Sequence, residues 1–293
     1  MASTGIASKT LLFPYWLTLA IRNKLYDKGV LKSESFDIPV ISVGNISVGG
    51  TGKTPHTEML VSLLSGKYRI AVISRGYKRK SKGYHEVKAT DDFSLCGDEP
   101  LQIKRKFPQI IVAVCKDRAL AIRKVTEEYG VNLIILDDAF QYRKIKPSCN
   151  ILLVNYNRTI AGDNLLPIGR LRDLASQVKR ADAVIITKCP DFGEFDGNQD
   201  EAKGLEAIAE QEKKWRKNLG SAMTSLFSSQ LQSFARLFLF SRGSAMCATF
   251  IQSLRRLLLA SPMTGSSAPS WWPRIRWRRC SSFPTTRISR AQT

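Results

Sequence analysis

Short apolar runs recur at 38–43, 69–74, 110–114, 131–138, 150–155 and 180–188, each bounded by glycine, proline or charged residues. Runs of this length, without polar alternation, predict strands buried on both faces. The segments between them carry helical spacing. Residues 57–65 place Met59, Leu60, Leu63 and Leu64 on one face, and Asp117-Arg118 opens a helix reaching about Tyr129. Strands alternating with helices predict an α/β fold with a mostly parallel sheet flanked by helices. The Lys- and Gly-rich stretch 78–88 is expected to be a solvated loop.

A different pattern stands ahead of the first strand. Residues 11–21 form an apolar, aromatic-bearing run too short to cross a bilayer, which takes about 20 residues. Arg22, Lys24, Lys28 and Lys32 follow at once. This order predicts a helix lying in a membrane interface. A core-packing helix and part of a transit peptide are the alternatives, although transit peptides are Arg- and Ser-rich.

Charge narrows the partners. The 293 residues carry a formal net charge of +20, which suits an anionic partner such as a phosphorylated substrate, a membrane surface or nucleic acid. Six dispersed cysteines without a C-x-x-C pair, and only two histidines, argue against a zinc site or a disulfide framework.

Between the first predicted strand and the first helix stands Ser47-Val48-Gly49-Gly50-Thr51-Gly52-Lys53-Thr54. Strand, glycine-rich turn and Gly-Lys-Thr helix start make a phosphate-binding loop, or P-loop. Gly49, Gly50, Thr51 and Gly52 would cradle phosphate with backbone amides. Lys53 would face the β- and γ-phosphates of ATP, and the Thr54 hydroxyl would ligate Mg²⁺. The strict motif has glycine where this chain has Ser47, so Gly49 and Gly50 must supply the flexibility. The run 131–138 ends in Asp137-Asp138, the pattern of a strand delivering carboxylates to Mg²⁺ opposite Thr54. Ligands of open α/β sheets sit beyond the carboxyl ends of strands, which makes Arg75, after 69–74, a candidate anion contact.

The string VGNISVGGTGKTP resembles the nucleotide loop of the tetraacyldisaccharide 4'-kinase family, which phosphorylates a lipid A precursor. Further matches follow in order: Ser74-Arg75-Gly76-Tyr77, Gly97-Asp98-Glu99-Pro100, Asp117-Arg118, Asp137-Asp138-Ala139-Phe140-Gln141-Tyr142, and the 165–173 segment ending Leu171-Arg172-Asp173. Together they cover about residues 11–190. The resemblance implies an ATP- and Mg²⁺-dependent kinase acting on the 4'-hydroxyl of a lipid A disaccharide 1-phosphate at a membrane surface. It assigns Asp98 as the base, Arg172 as neutraliser of the transferring phosphoryl charge, and Arg75 as an anion contact. It implies no nucleic-acid partner and points to no protein partner. Ala139 and Tyr142 replace a family glycine and histidine, which puts the turn after Asp138 in question.

From Ala222 to Thr293 there are ten arginines and no lysine, aspartate or glutamate, and no histidine follows His85. The second lobe of the family is therefore expected to be truncated or replaced. Such lopsided charge is what translation out of frame, or through a retained intron, yields. The expected organisation is a membrane-associating segment 1–36, a kinase core 37–190, a linker or helix 191–221, and an Arg/Ser/Trp-rich, disordered tail 222–293. A helix near Phe238 is one reading within that tail. The protein is expected to be membrane-associated: at the cytoplasmic face of the inner membrane from a bacterial source, mitochondrial from a plant. A catalytically impaired nucleotide-binding remnant and a basic nucleic-acid-binding protein are the alternative functions.

Overall fold

The computed structural model describes residues 6–158, 160, 163–189 and 236–241. The linker 191–221, the tail outside 236–241 and the second compact unit, Met263–Thr293, lie outside the described residues.

Strands β1 (Val40–Asn45), β2 (Ile70–Ser74), β3 (His85–Glu86), β4 (Ile111–Val114), β5 (Leu133–Asp137), β6 (Cys149–Asn155), β7 (Ala183–Cys189) and β8 (Arg236–Ser241) form one sheet in the order β3-β4-β2-β5-β1-β6-β7-β8. All pairings are parallel except β3 with β4. β1 is central because Val40, Ile41 and Val43 are buried and have apolar neighbours on both sides. Every residue of β1, β2, β5 and β6 is buried, so continuous apolar runs, not alternating ones, encode them.

Helices α1 (Ile6–Asp27), α2 (Lys53–Leu64), α3 (Phe93–Cys96), α4 (Asp98–Lys106) and α5 (Arg118–Tyr129) complete the described elements, with a 3-10 turn at Ala175–Arg180. The aspartate at 117 caps α5, accepting from the amides of Ala119 and Leu120 at 3.1 and 3.3 Å. Gly130, left-handed at φ 58°, ends that helix.

Three local expectations change. The stretch expected to be a solvated loop contains β3, and His85 Nε2 lies 2.8 Å from Asp91 Oδ2. Backbone pairing and this hydrogen bond order a segment whose composition alone is loop-like. The segment around Phe238 is strand β8, where register with β7 outweighs local helical spacing. β1 begins after Pro39, which has no amide hydrogen to give a ladder, and continues through Asn45.

Candidate active site

A cavity of about 880 Å³ opens beyond the carboxyl ends of β1, β2, β4 and β5. Gly49 and Lys53 follow β1, Arg75 and Tyr77 follow β2, Lys116 and Arg118 follow β4, and Asp138, Gln141 and Tyr142 follow β5. Asp98 and Glu99 reach it from the first turn of α4, Arg172 from a loop and Arg22 from α1. Six basic side chains against three acidic ones line the space, a balance that suits an anionic ligand.

The glycine loop is shaped by its own backbone and by neighbours. Gly49 and Gly52 have φ of 119° and 79°, conformations that a β-carbon disfavours. The segment carrying Arg172 pairs antiparallel with the loop: Val48 N donates to Arg170 O at 2.7 Å and Arg172 N to Ile46 O at 2.8 Å. Thr51 turns inward, its hydroxyl accepting from Asn45 Nδ2 at 2.7 Å while its carbonyl accepts from Thr187 Oγ1 at 3.0 Å. Its side chain is thus occupied within the protein, and only its backbone is left to face a ligand. Gly50, Thr51, Gly52, Thr54 and Asp137 do not line the cavity.

The two aspartates after β5 have different surroundings. Asp137 is fully buried, accepts from Thr57 Oγ1 at 3.1 Å, and its Oδ2 has no hydrogen-bond partner among the described residues. Burial, reinforced by the charges of Glu99 and Asp138, pushes its carboxyl up to about 7. Asp138 faces the cavity. Burial works to raise its carboxyl too, but the Arg172 hydrogen bonds and the charges of Arg172, Lys53 and Arg118 outweigh it and hold it below the usual range. Lys53 Nζ stands 3.8 Å from Asp138 Oδ1.

Ala139 is accommodated in the turn after β5. Asp138 itself takes the left-handed conformation, at φ 47°, and Ala139 is buried with its amide bonded to Val43 O at 3.2 Å. Tyr142 lies under the Arg118 guanidinium, 4.7 Å from its ring centroid, and its hydroxyl accepts from the Arg118 amide at 3.2 Å. Arg118 Nη2 donates to Asp138 O at 3.0 Å, which ties α5 to the turn.

Among the sequence candidates, the fold gathers Gly49, Lys53, Arg75, Asp98, Asp138 and Arg172 around one cavity. Arg22, Lys116 and Gln141 line the same cavity; Gln141 stood in the sequence only as a member of the 137–142 motif, and Arg22 and Lys116 were not legible as site residues. Arg22 Nη2 donates to Gln141 O at 2.9 Å, and Gln141 Nε2 to Asn45 O at 2.6 Å, so helix, turn and β1 meet at this corner. For Arg22 the one available signal was the basic cluster after residue 21.

A central parallel strand leading through a glycine loop into a helix, with an acidic turn on the neighbouring strand, defines an α/β protein of the P-loop kinase type. The model of the tetraacyldisaccharide-1-P 4'-kinase (LpxK) family matches residues 8–263, and the chain belongs to that family. The match continues past residue 190, where motif-by-motif resemblance stops being legible. The chain is 55% identical over 173 residues to a tetraacyldisaccharide 4'-kinase of Phocaeicola vulgatus, covering 58% of this chain and 47% of that one. To the enzyme of Porphyromonas gingivalis it is 54% identical over 182 residues, covering 60% and 50%. The chain thus spans about half the length of these relatives. It also resembles the crystal structure of LpxK from Aquifex aeolicus in complex with ATP, with 39% identity, a TM-score of 0.56, and 61% and 58% of the two chains covered.

Proposed function

We propose that this chain binds ATP at its glycine loop and transfers the terminal phosphoryl group to the 4'-hydroxyl of a tetraacyldisaccharide 1-phosphate. The observation carrying this reading is the convergence of Lys53, Asp98, Asp138 and Arg172 on one cavity in a member of this family. Loop amides and Lys53 would hold the β- and γ-phosphates. Arg75 would contact an anion, and Arg172 the charge spread over the transferring group. The acceptor oxygen bonds to phosphorus as the bond from phosphorus to the β,γ-bridging oxygen breaks. Its proton passes to the Asp98 carboxylate, and ADP leaves.

The donors present suit Mg²⁺, which favours oxygen ligands. Asp137 Oδ2 is buried without a hydrogen-bond partner, and Asp138 and the Thr54 hydroxyl follow the two adjacent strands. Thr54, Asp137 and Asp138 would hold the ion directly or through water. Once bound, Mg²⁺ would neutralise phosphate charge.

Membrane association fits α1. Residues 13–18 are exposed, Phe13, Trp16 and Leu17 among them, as is Ile21, while Leu19 and Asn23 are buried. No helix among the described residues is long and apolar enough to cross a membrane. We keep 1–36, 37–190, 191–221 and 222–293 as the proposed functional segments.

Phosphate transfer from radiolabelled ATP to the disaccharide acceptor tests this reading. Transfer abolished by Asp98→Asn supports it. Transfer unaffected by that substitution removes Asp98 from the mechanism.

A further inference from the structure

Arg172 donates to both carboxylate oxygens of Asp138, Nη2 to Oδ1 and Nη1 to Oδ2. Both partners of this fork stand on irregular backbone. Arg172 lies in a loop, and Asp138 opens the turn after β5. Their mutual placement therefore depends on what holds those two segments. Helix α1 bonds to both. Asn23 Nδ2 donates to Asp173 Oδ1 at 2.8 Å, and the Tyr15 hydroxyl donates to Arg172 O at 3.3 Å. Toward the turn, Arg22 Nη2 donates to Gln141 O at 2.9 Å, and Arg143 Nη1 donates to Asn23 O at 3.0 Å. Asn23 thus stands between the residue after Arg172 and the turn that Asp138 opens.

Asn23 and Asp173 are buried, at 2% and 0% exposure. A carboxyl sealed from water needs hydrogen-bond donors. Among the described residues, Asp173 Oδ1 accepts from Asn23 and from the Leu174 amide at 2.8 Å, while the Arg180 guanidinium stays 3.7 Å from Oδ2. Leu174 belongs to the same loop and cannot fix it against the rest of the protein. Arg180 lies beyond hydrogen-bond length. Asn23 is therefore the hydrogen-bonded tether of this carboxyl to another element. The Arg172 amide is held separately, by Ile46 O at 2.8 Å. Asn23 itself does not line the cavity.

Groups that act on a transferring phosphoryl must be held to within about 0.5 Å by side chains that are themselves locked in place. Granted the kinase reading above, on which this inference rests, we propose that Asn23, assisted by Tyr15, is a positioning residue for phosphoryl transfer. It holds Arg172 at Asp138 by way of Asp173 and touches neither nucleotide nor acceptor. The helix proposed for membrane contact is thereby also part of the scaffold of the site.

The test is a double-mutant cycle on the full chain, read as kcat in the radiolabel assay and as ADP affinity by calorimetry. Asn23→Ala should lower kcat about 10- to 10²-fold, as displacing a group at the reacting centre by about 1 Å does. ADP affinity should stay unchanged, since the loop amides and Lys53 keep their places. In an Arg172→Ala background the same substitution should cost nothing further, because its effect passes through Arg172. An equal fall in both backgrounds, or no fall in either, overturns the proposal. If Asn23→Ala loses ADP affinity along with kcat, the fold at large is damaged and Tyr15→Phe decides. Tyr15 is exposed, and removing its hydroxyl leaves the fold intact. That variant should lower kcat about threefold, and only where Arg172 is present. An unchanged kcat overturns the proposal. If Arg172→Ala lowers transfer while Asn23→Ala and Tyr15→Phe do not, the kinase reading survives and the positioning role falls. If the unsubstituted chain transfers no phosphate, or Arg172→Ala leaves transfer unchanged, the kinase reading fails and the positioning role falls with it.

Discussion

Arg172 closes on Asp138 with both arms of its guanidinium, Nη2 to Oδ1 at 2.7 Å and Nη1 to Oδ2 at 3.1 Å. The same Nη2 also donates to the side-chain oxygen of Asn45, at the end of β1. One planar group therefore spans two adjacent strands at the mouth of the glycine loop. Arg172→Ala should lower phosphoryl transfer about 10²–10³-fold relative to the unsubstituted chain. Arg172→Lys should not restore it, because an ammonium cannot form this fork. Full activity in the lysine variant, measured by the radiolabel assay, would remove the geometric argument.

Helix α1 is fastened to the protein in its second half and exposes apolar rings in its first. Asn23 Nδ2 donates to the buried Asp173 at 2.8 Å, and Arg143 pairs with Asp27 at 2.7 Å. Ahead of these anchors the Phe13 and Trp16 rings stack with centroids 6.0 Å apart and are 56% and 46% exposed. Phe13→Ser with Trp16→Ser should weaken liposome co-sedimentation at least tenfold, since each buried aromatic is worth about 1.5–3 kcal/mol. The thermal midpoint should not move. Undiminished sedimentation would place the membrane contact elsewhere in the chain.

Acid sensitivity should arise partly at Asp91. Burial works to raise its carboxyl, but the Lys88 amide at 2.9 Å and His85 at 2.8 Å hold it below the usual range. A carboxyl lowered in the folded state adds stability that is present above its unfolded value of 3.8. That stability is lost as pH falls through the lower folded value. Asp91→Asn should therefore lower the midpoint at pH 7 and reduce the further loss on acidification below about pH 4. Parallel stability–pH curves for the two proteins would show that this pair contributes nothing.

Gly44 sits inside β1 where no side chain fits. A β-carbon there would come 2.7 Å from both the backbone nitrogen and the Cβ of Phe140, one of the largest fully buried residues. Gly44→Ala should destabilise the fold by about 1–3 kcal/mol, as overpacking of a dense core does. Chemical denaturation reads this directly, and an unchanged midpoint would mean that the Asp138–Phe140 turn can yield.

Most strands were legible because parallel strands buried on both faces need nearly unbroken apolar runs, a local property of the chain. The glycine loop was legible for a similar reason: the turn, the lysine and the helix start are consecutive. What only the tertiary structure decided is non-local. The sequence placed Thr51 among the loop residues that cradle phosphate, and only the structure shows its side chain turned inward by Asn45 and Thr187, the latter 136 positions away. Asp137 and Asp138 are adjacent, yet one is sealed in the core and the other faces Arg172, because Asp138 takes a left-handed turn at the end of β5. Arg22 enters the cavity wall only because Asn23 and Asp27 fasten α1 across a loop and a turn more than a hundred residues away. Periodicity determines which face of an element is apolar. It holds no information about which distant polar groups that element will meet, since those meetings follow from strand order and register.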